Sequence, residues 1–246
     1  MSDSNQTSSN HRHRNLAGEC IVLMLGAMLA SCGGGDGGSS SPPPVSPGPP
    51  PAPVPPPPPP PPASTTPPLA SPAIDLATVD RVGTDRWGAY NTDTGGKGDP
   101  VEGVPCLPTM DDTYHAHAHL GIYLNGEAIT VPEAVGIVPG PTSTTGERCF
   151  YEIHMHDLTG KVHVESSEPG VYTLGQFFAI WGQPFSNTTV ADITGLPIVV
   201  YTVDDNVVSE VPDDQWDDIE LQSKRQIVIQ IGTPLTEIPA YTWSGD

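Results

Sequence analysis

His115-Ala116-His117-Ala118-His119-Leu120-Gly121-Ile122-Tyr123-Leu124 alternates with a period of two. A strand sends successive side chains to opposite faces. Ala116, Ala118, Leu120, Ile122 and Leu124 therefore share one face, and His115, His117, His119 and Tyr123 share the other. The division recurs twice downstream. Ile153 and Met155 oppose Glu152, His154 and His156, and Val162 and Val164 oppose His163 and Glu165. Three segments with the same alternation predict a sheet with a core face and an imidazole face.

Asp157-Leu158-Thr159-Gly160 is turn chemistry between the last two segments and predicts a hairpin. With Leu158 and Thr159 at its tip, His156 pairs with Lys161, His154 with His163, and Glu152 with Glu165. Directly opposed residues share a face, so this register gathers imidazoles and carboxylates on one surface. A slip of one residue scatters them. Asn125-Gly126 likewise predicts a hairpin between residues 115–124 and 128–131. Residues 132–146 read as a loop, 148–156 as one strand and 161–166 as its partner.

The period changes at Thr173. Leu174, Phe177, Phe178 and Trp181 fall at i, i+3, i+4 and i+7, a helical stripe with Thr173 as N-cap and Gly182 as stop. This short helix is expected to pack on the apolar face of the sheet. Residues 196–203 and 226–231 return to strand character, and residues 74–110 hold little regular structure. Residues 122–132 and 200–212 echo one another as strand, polar turn, strand, proline. The expected fold is α+β, mostly antiparallel hairpins with one short helix. The order helix, strand, turn, strand in the second half resembles β-grasp domains, an analogy of fold alone.

Of the eight histidines, His11 and His13 lie near the N-terminus and the other six in this window. Imidazole suits zinc and copper, and carboxylates complete such sites. His154, His156 and His163 are the predicted centre, with His117, His119 and Glu165 added if the first hairpin lies alongside the second. His115, at a strand end, is expected to matter less. The cofactor class is a transition metal, copper or zinc. Sequestration or delivery is the first reading. A metal-dependent enzyme with Glu152, Asp157 or Glu165 as base is the second, and a structural or adhesive module the third. No Gly-x-Ser-x-Gly or His-Glu-x-x-His motif is present. Cupins carry a glutamate three or four residues after His-x-His, and Glu165 lies too far on. The segment 149–156 is superficially similar to a strand of copper/zinc superoxide dismutases, but no histidine follows His163 to supply their later ligands.

Ahead of the domain, Arg12 and Arg14 precede an apolar run at residues 21–30, too short to span a bilayer as a stable helix. It closes in Leu29-Ala30-Ser31-Cys32, the pattern of a secretory signal. This ending resembles the lipobox of bacterial lipoproteins. The resemblance implies that residues 1–31 are a signal peptide and that Cys32 carries the lipid. With Gly33 following, it also implies an outer-membrane anchor in the cell envelope. Residues 32–73 read as a Gly/Ser-rich and then proline-rich linker; polyproline extends about 3.1 Å per residue and acts as a spacer. The domain then occupies residues 74–246. The two His-rich hairpins and the Thr173–Trp181 segment are similar to an uncharacterised group of prokaryotic envelope proteins, which implies no activity.

Of 29 acidic residues, only Asp3, Glu19 and Asp36 precede the domain, and the net charge is −20. Such a surface repels nucleic acid and anionic headgroups, which leaves the lipid at Cys32 as the expected membrane contact. Cys106 and Cys149 are the domain's two cysteines. In an exported protein such a pair predicts a disulfide. Cys149 also shares the apolar parity of Tyr151, Ile153 and Met155, away from the imidazoles.

Overall fold

The computed structural model describes residues 66–144 and 146–243, so the expected signal peptide, Cys32 and residues 32–65 of the expected linker lie outside the described residues. The first elements are short: β1 (Ile74–Asp75), β2 (Thr84–Asp85) and β3 (Cys106–Leu107). Next come β4 (Tyr114–Leu124), β5 (Glu127–Thr130), β6 (Ile137–Val138), β7 (Cys149–Tyr151), β8 (Ile153–His154) and β9 (Lys161–Ser166). The helix α1 (Leu174–Trp181) precedes a small meander of β10 (Phe185–Ser186), β11 (Thr189–Val190) and β12 (Ile193–Thr194). The chain closes with β13 (Ile198–Asp204), β14 (Val207–Val211), β15 (Gln226–Ile231) and β16 (Tyr241–Thr242). The fold is α+β, with one short helix on mostly antiparallel sheet.

The main sheet has eight strands and runs β14-β13-β15-β4. It forks at β4, because that strand is eleven residues long and its partners are short. Residues Ile122–Leu124 pair with β5, and Tyr114–His119 pair with β9, which carries β8 beyond it. β15 pairs with β4 in parallel, the one central departure from antiparallel order. Its register sets Ile227, Ile229 and Ile231 beside Leu120, Ile122 and Leu124. Val162, Val164 and Ile153 continue that apolar face across β9 and β8, and all but Leu124 of these residues are buried in one cluster with Leu174, Phe177, Phe178, Ile180 and Trp181 of α1. Burying such a side chain contributes about 1.5–3 kcal/mol, so this layer dominates the stability. A full capping box joins Thr173 to Gln176, and Gly182 ends the helix in the left-handed region.

Both echoed segments are hairpins. Asn125 and Gly126 have φ of 52° and 89°, and Asp205 and Asn206 have 50° and 65°. Two positive φ values in a two-residue loop match the twist of the flanking strands. In the second half the β10–β12 meander intervenes between α1 and the β13–β14 hairpin, so the helix-strand-turn-strand order behind the β-grasp analogy is interrupted.

Four details differ from the sequence reading. Residues 132–146 are not wholly loop, since β6 pairs with β7. Residues 148–156 are two strands: the backbone bends at Glu152, leaving β7 in the β3-β7-β6 sheet and β8 in the main sheet. The pairing of β8 with β9 ends at His154↔His163; Lys161 sits opposite His119 of β4, and His156 lies past the strand end. The fold also begins earlier than residue 74, because Leu69 bridges to Ile238 and the Ala70 amide donates to the Ile238 carbonyl. Cys106 and Cys149 are bonded, with Cα atoms 5.4 Å apart.

Candidate metal centre

β9 is the spine of the site. It pairs with β8 through His154↔His163 and with β4 through His117↔His163 and His115↔Glu165. Opposed residues on adjacent antiparallel strands share a face. Three imidazoles therefore stand in a row across β8, β9 and β4, with His163 in the middle. His115 and Glu165 form the next row, and His156 reaches in from the end of β8.

The polar atoms converge closely. His163 Nδ1 lies 3.0 Å from His117 Nε2, 3.3 Å from His115 Nε2 and 3.3 Å from Glu165 Oε1. His154 Nε2 is 3.1 Å from His156 Nε2. Glu165 Oε1 is 3.3 Å from His115 Nε2, 3.7 Å from His154 Nε2 and 4.0 Å from His156 Nε2. His154, His156, His163 and Glu165 form one set with metal-ligating geometry, and His115, His117 and His163 form a second. Burial grades across the site: the His154 and Glu165 side chains are 1% and 6% exposed, whereas those of His115 and His156 are 40% and 37%. Two imidazoles thus form a solvent-facing rim over a buried floor.

His154 is held firmly. Its Nδ1 donates to the Tyr151 carbonyl at 2.8 Å, which leaves Nε2 with its lone pair toward the cluster. Backbone support of this kind fixes the tautomer and orientation of ligating histidines. The strand itself is braced by residues 134–138. The Met155 amide donates to Val135, and the Tyr151 amide to Gly136. Gly136, at φ 81°, passes so close that a Cβ there would sit 2.4 Å from the Ile153 carbonyl oxygen and 2.9 Å from His154 Cβ. In sequence this segment reads as loop and its bracing role is not visible; the glycine within a Val135-Gly136-Ile137-Val138 run is its one signal.

His119 stands apart from both sets. It is fully buried, its Nε2 donates to the Thr159 carbonyl at 3.0 Å, and its ring lies 4.0 Å from that of Tyr241. The face that carries the imidazoles is covered at this end by β16 and by a second small core of Tyr123, Tyr201, Val203, Val228 and Ile238. His115, by contrast, is drawn into the centre by its pairing with Glu165. Of the remaining carboxylates, Asp157 accepts from the amide and hydroxyl of Thr159 within its own turn, and Glu152 accepts from the Tyr172 hydroxyl. Of these three carboxylates, Glu165 is the one grouped with the histidines among the described residues.

Burial, above all, holds His154 down at about 4 and His163 at about 2, with the neighbouring imidazoles adding to the effect. Burial also pushes the Glu165 carboxyl up, against the opposing pull of His115 and His156. Neutral imidazoles are the form that binds metal. The same shifts make the metal-free fold acid-sensitive. A histidine of depressed pKa binds its proton in the unfolded chain first, so its stabilisation is complete above about pH 6.5 and lost as pH falls toward 4. For His154 the loss is on the order of 3 kcal/mol. Urea unfolding of the chelator-treated protein is expected to show this decline; a flat profile over that window would contradict the burial of a neutral His154.

Comparison with protein-family models, curated proteins and solved structures found no match.

Proposed function

We propose that this face binds a transition metal ion, copper or zinc, and that the protein sequesters or delivers it from a lipid anchor in the bacterial envelope. One observation carries the metal reading. A ring nitrogen has either one proton or one lone pair, so it makes one good hydrogen bond. His163 Nδ1 has three polar neighbours within 3.3 Å. Hydrogen bonding among neutral imidazoles leaves at least two of those contacts unsatisfied, and a cation satisfies them together. The spacing fits as well. Ligands bound at about 2.0–2.1 Å stand roughly 2.9 Å apart in an octahedron and 3.4 Å apart in a tetrahedron. The closest contacts, 3.0 to 3.3 Å, fall in that range.

The half-exposed rim of His115 and His156 favours exchange with solvent, as sequestration and delivery require. Surrounding acidity favours cations. The full-length protein, stripped and then dialysed against zinc or copper, is expected to retain the metal after desalting at neutral pH. Release should follow as pH falls and the imidazoles protonate. A protein that retains neither ion would sink the reading.

The anchor rests on Leu29-Ala30-Ser31-Cys32 and its likeness to lipoprotein signals. Cys32→Ala should abolish incorporation of a fatty-acid probe, and unchanged labelling would refute the anchor.

A further inference from the structure

The six converging side chains divide three and three. His115 Nε2 and His117 Nε2 lie 3.3 and 3.0 Å from His163 Nδ1. His154 Nε2 lies 3.1 Å from His156 Nε2, and the two are 3.7 and 4.0 Å from Glu165 Oε1. Two ligands of one ion bound at 2.0–2.1 Å stand at most about 4.2 Å apart, so every one of these pairs fits a shared ion. A single four-coordinate ion uses four of the six groups and leaves two of them unexplained. The two sets are also adjacent: His163 lies within reach of both, and Glu165 Oε1 is 3.3 Å from both His115 Nε2 and His163 Nδ1.

We infer that the face is a dinuclear centre, one transition-metal ion held by His115, His117 and His163 and a second by His154, His156 and Glu165, with the Glu165 carboxylate between them. The inference rests on the metal-binding reading above and adds a second ion to it. Two positive charges side by side need an anion between them, and Glu165 is the buried carboxylate placed there. Each ion has three protein ligands, two sets of the His₃ and His₂Glu kind that leave a further position open to water or to an incoming ligand.

The test is zinc stoichiometry on the full-length chain, read by elemental analysis after desalting and by calorimetric titration. The wild-type protein should hold two zinc ions, and the His115→Ala/His117→Ala and His154→Ala/His156→Ala variants one each. The difference between wild type and variant separates this centre from weak binding elsewhere on an acidic surface. One zinc in the wild type, or two retained in either variant, overturns the dinuclear inference and leaves the metal-binding reading standing. If no zinc is held, copper stoichiometry on the same proteins decides in the same way, and retention of neither ion overturns both. Should the variants fail to fold, the wild-type protein loaded with Cu²⁺ decides the matter by electron paramagnetic resonance. A magnetically coupled pair is expected, and an isolated single-ion spectrum overturns the inference.

Discussion

His163→Ala is expected to reduce metal affinity more than any other single substitution, by at least about 100-fold, since loss of a mere supporting contact costs roughly 10–100-fold. The reason is position. His163 is the middle imidazole of the row across β8, β9 and β4 and belongs to both ligand sets. His119→Ala, two residues from His117, should leave affinity nearly unchanged, because its Nε2 is taken by the Thr159 carbonyl and the ring lies against Tyr241, outside both ligand sets. It should lower stability instead, as a cavity forms beneath β16. Calorimetric titration of the two variants provides the contrast. Equal losses would mean that the rings do not divide as the structure divides them.

Removing the Cys106–Cys149 bond is the second large effect expected. The bond closes a loop of 43 residues, for which the chain-entropy relation gives roughly 4 kcal/mol, within the ~2–5 kcal/mol typical of small secreted domains. The site should feel the loss as well. Cys149 and Tyr151 lie on β7, and the Tyr151 carbonyl holds His154 Nδ1. The Cys106→Ala/Cys149→Ala variant should therefore unfold at much lower urea concentration and bind metal more weakly at a temperature where it is still folded. Unchanged midpoint and affinity would show that neither the fold nor His154 depends on the bond.

Much of this architecture was legible from alternation alone. Side chains of period two place Ala116, Ala118 and Leu120 inward and the histidines outward whatever the tertiary context, and the His154↔His163 register follows from the Asp157–Gly160 turn. The helix was equally plain, because Thr173, the apolar stripe and Gly182 agree at every level. The parallel entry of β15 between β13 and β4 was not legible, since nothing local in Gln226–Ile231 names its partner. That pairing, with the cover of β16, decides the fate of His119. In sequence it is one more histidine of the alternating run, and in space it lies under Tyr241. His115 erred in the opposite direction. It stands at a strand end, but the β4–β9 pairing sets it against Glu165, a long-range register that the hairpin turns do not encode. The break at Glu152 was hidden because the alternation of 149–156 continues across the bend.

Whether these imidazoles are metal ligands is decided by X-ray absorption at the metal edge of the zinc-loaded full-length protein. A first shell of nitrogen and oxygen at about 2.0–2.1 Å is expected, with the outer-shell scattering of at least two imidazole rings per zinc. A first shell of oxygen alone, with no imidazole scattering, would place the zinc on surface carboxylates and contradict imidazole ligation.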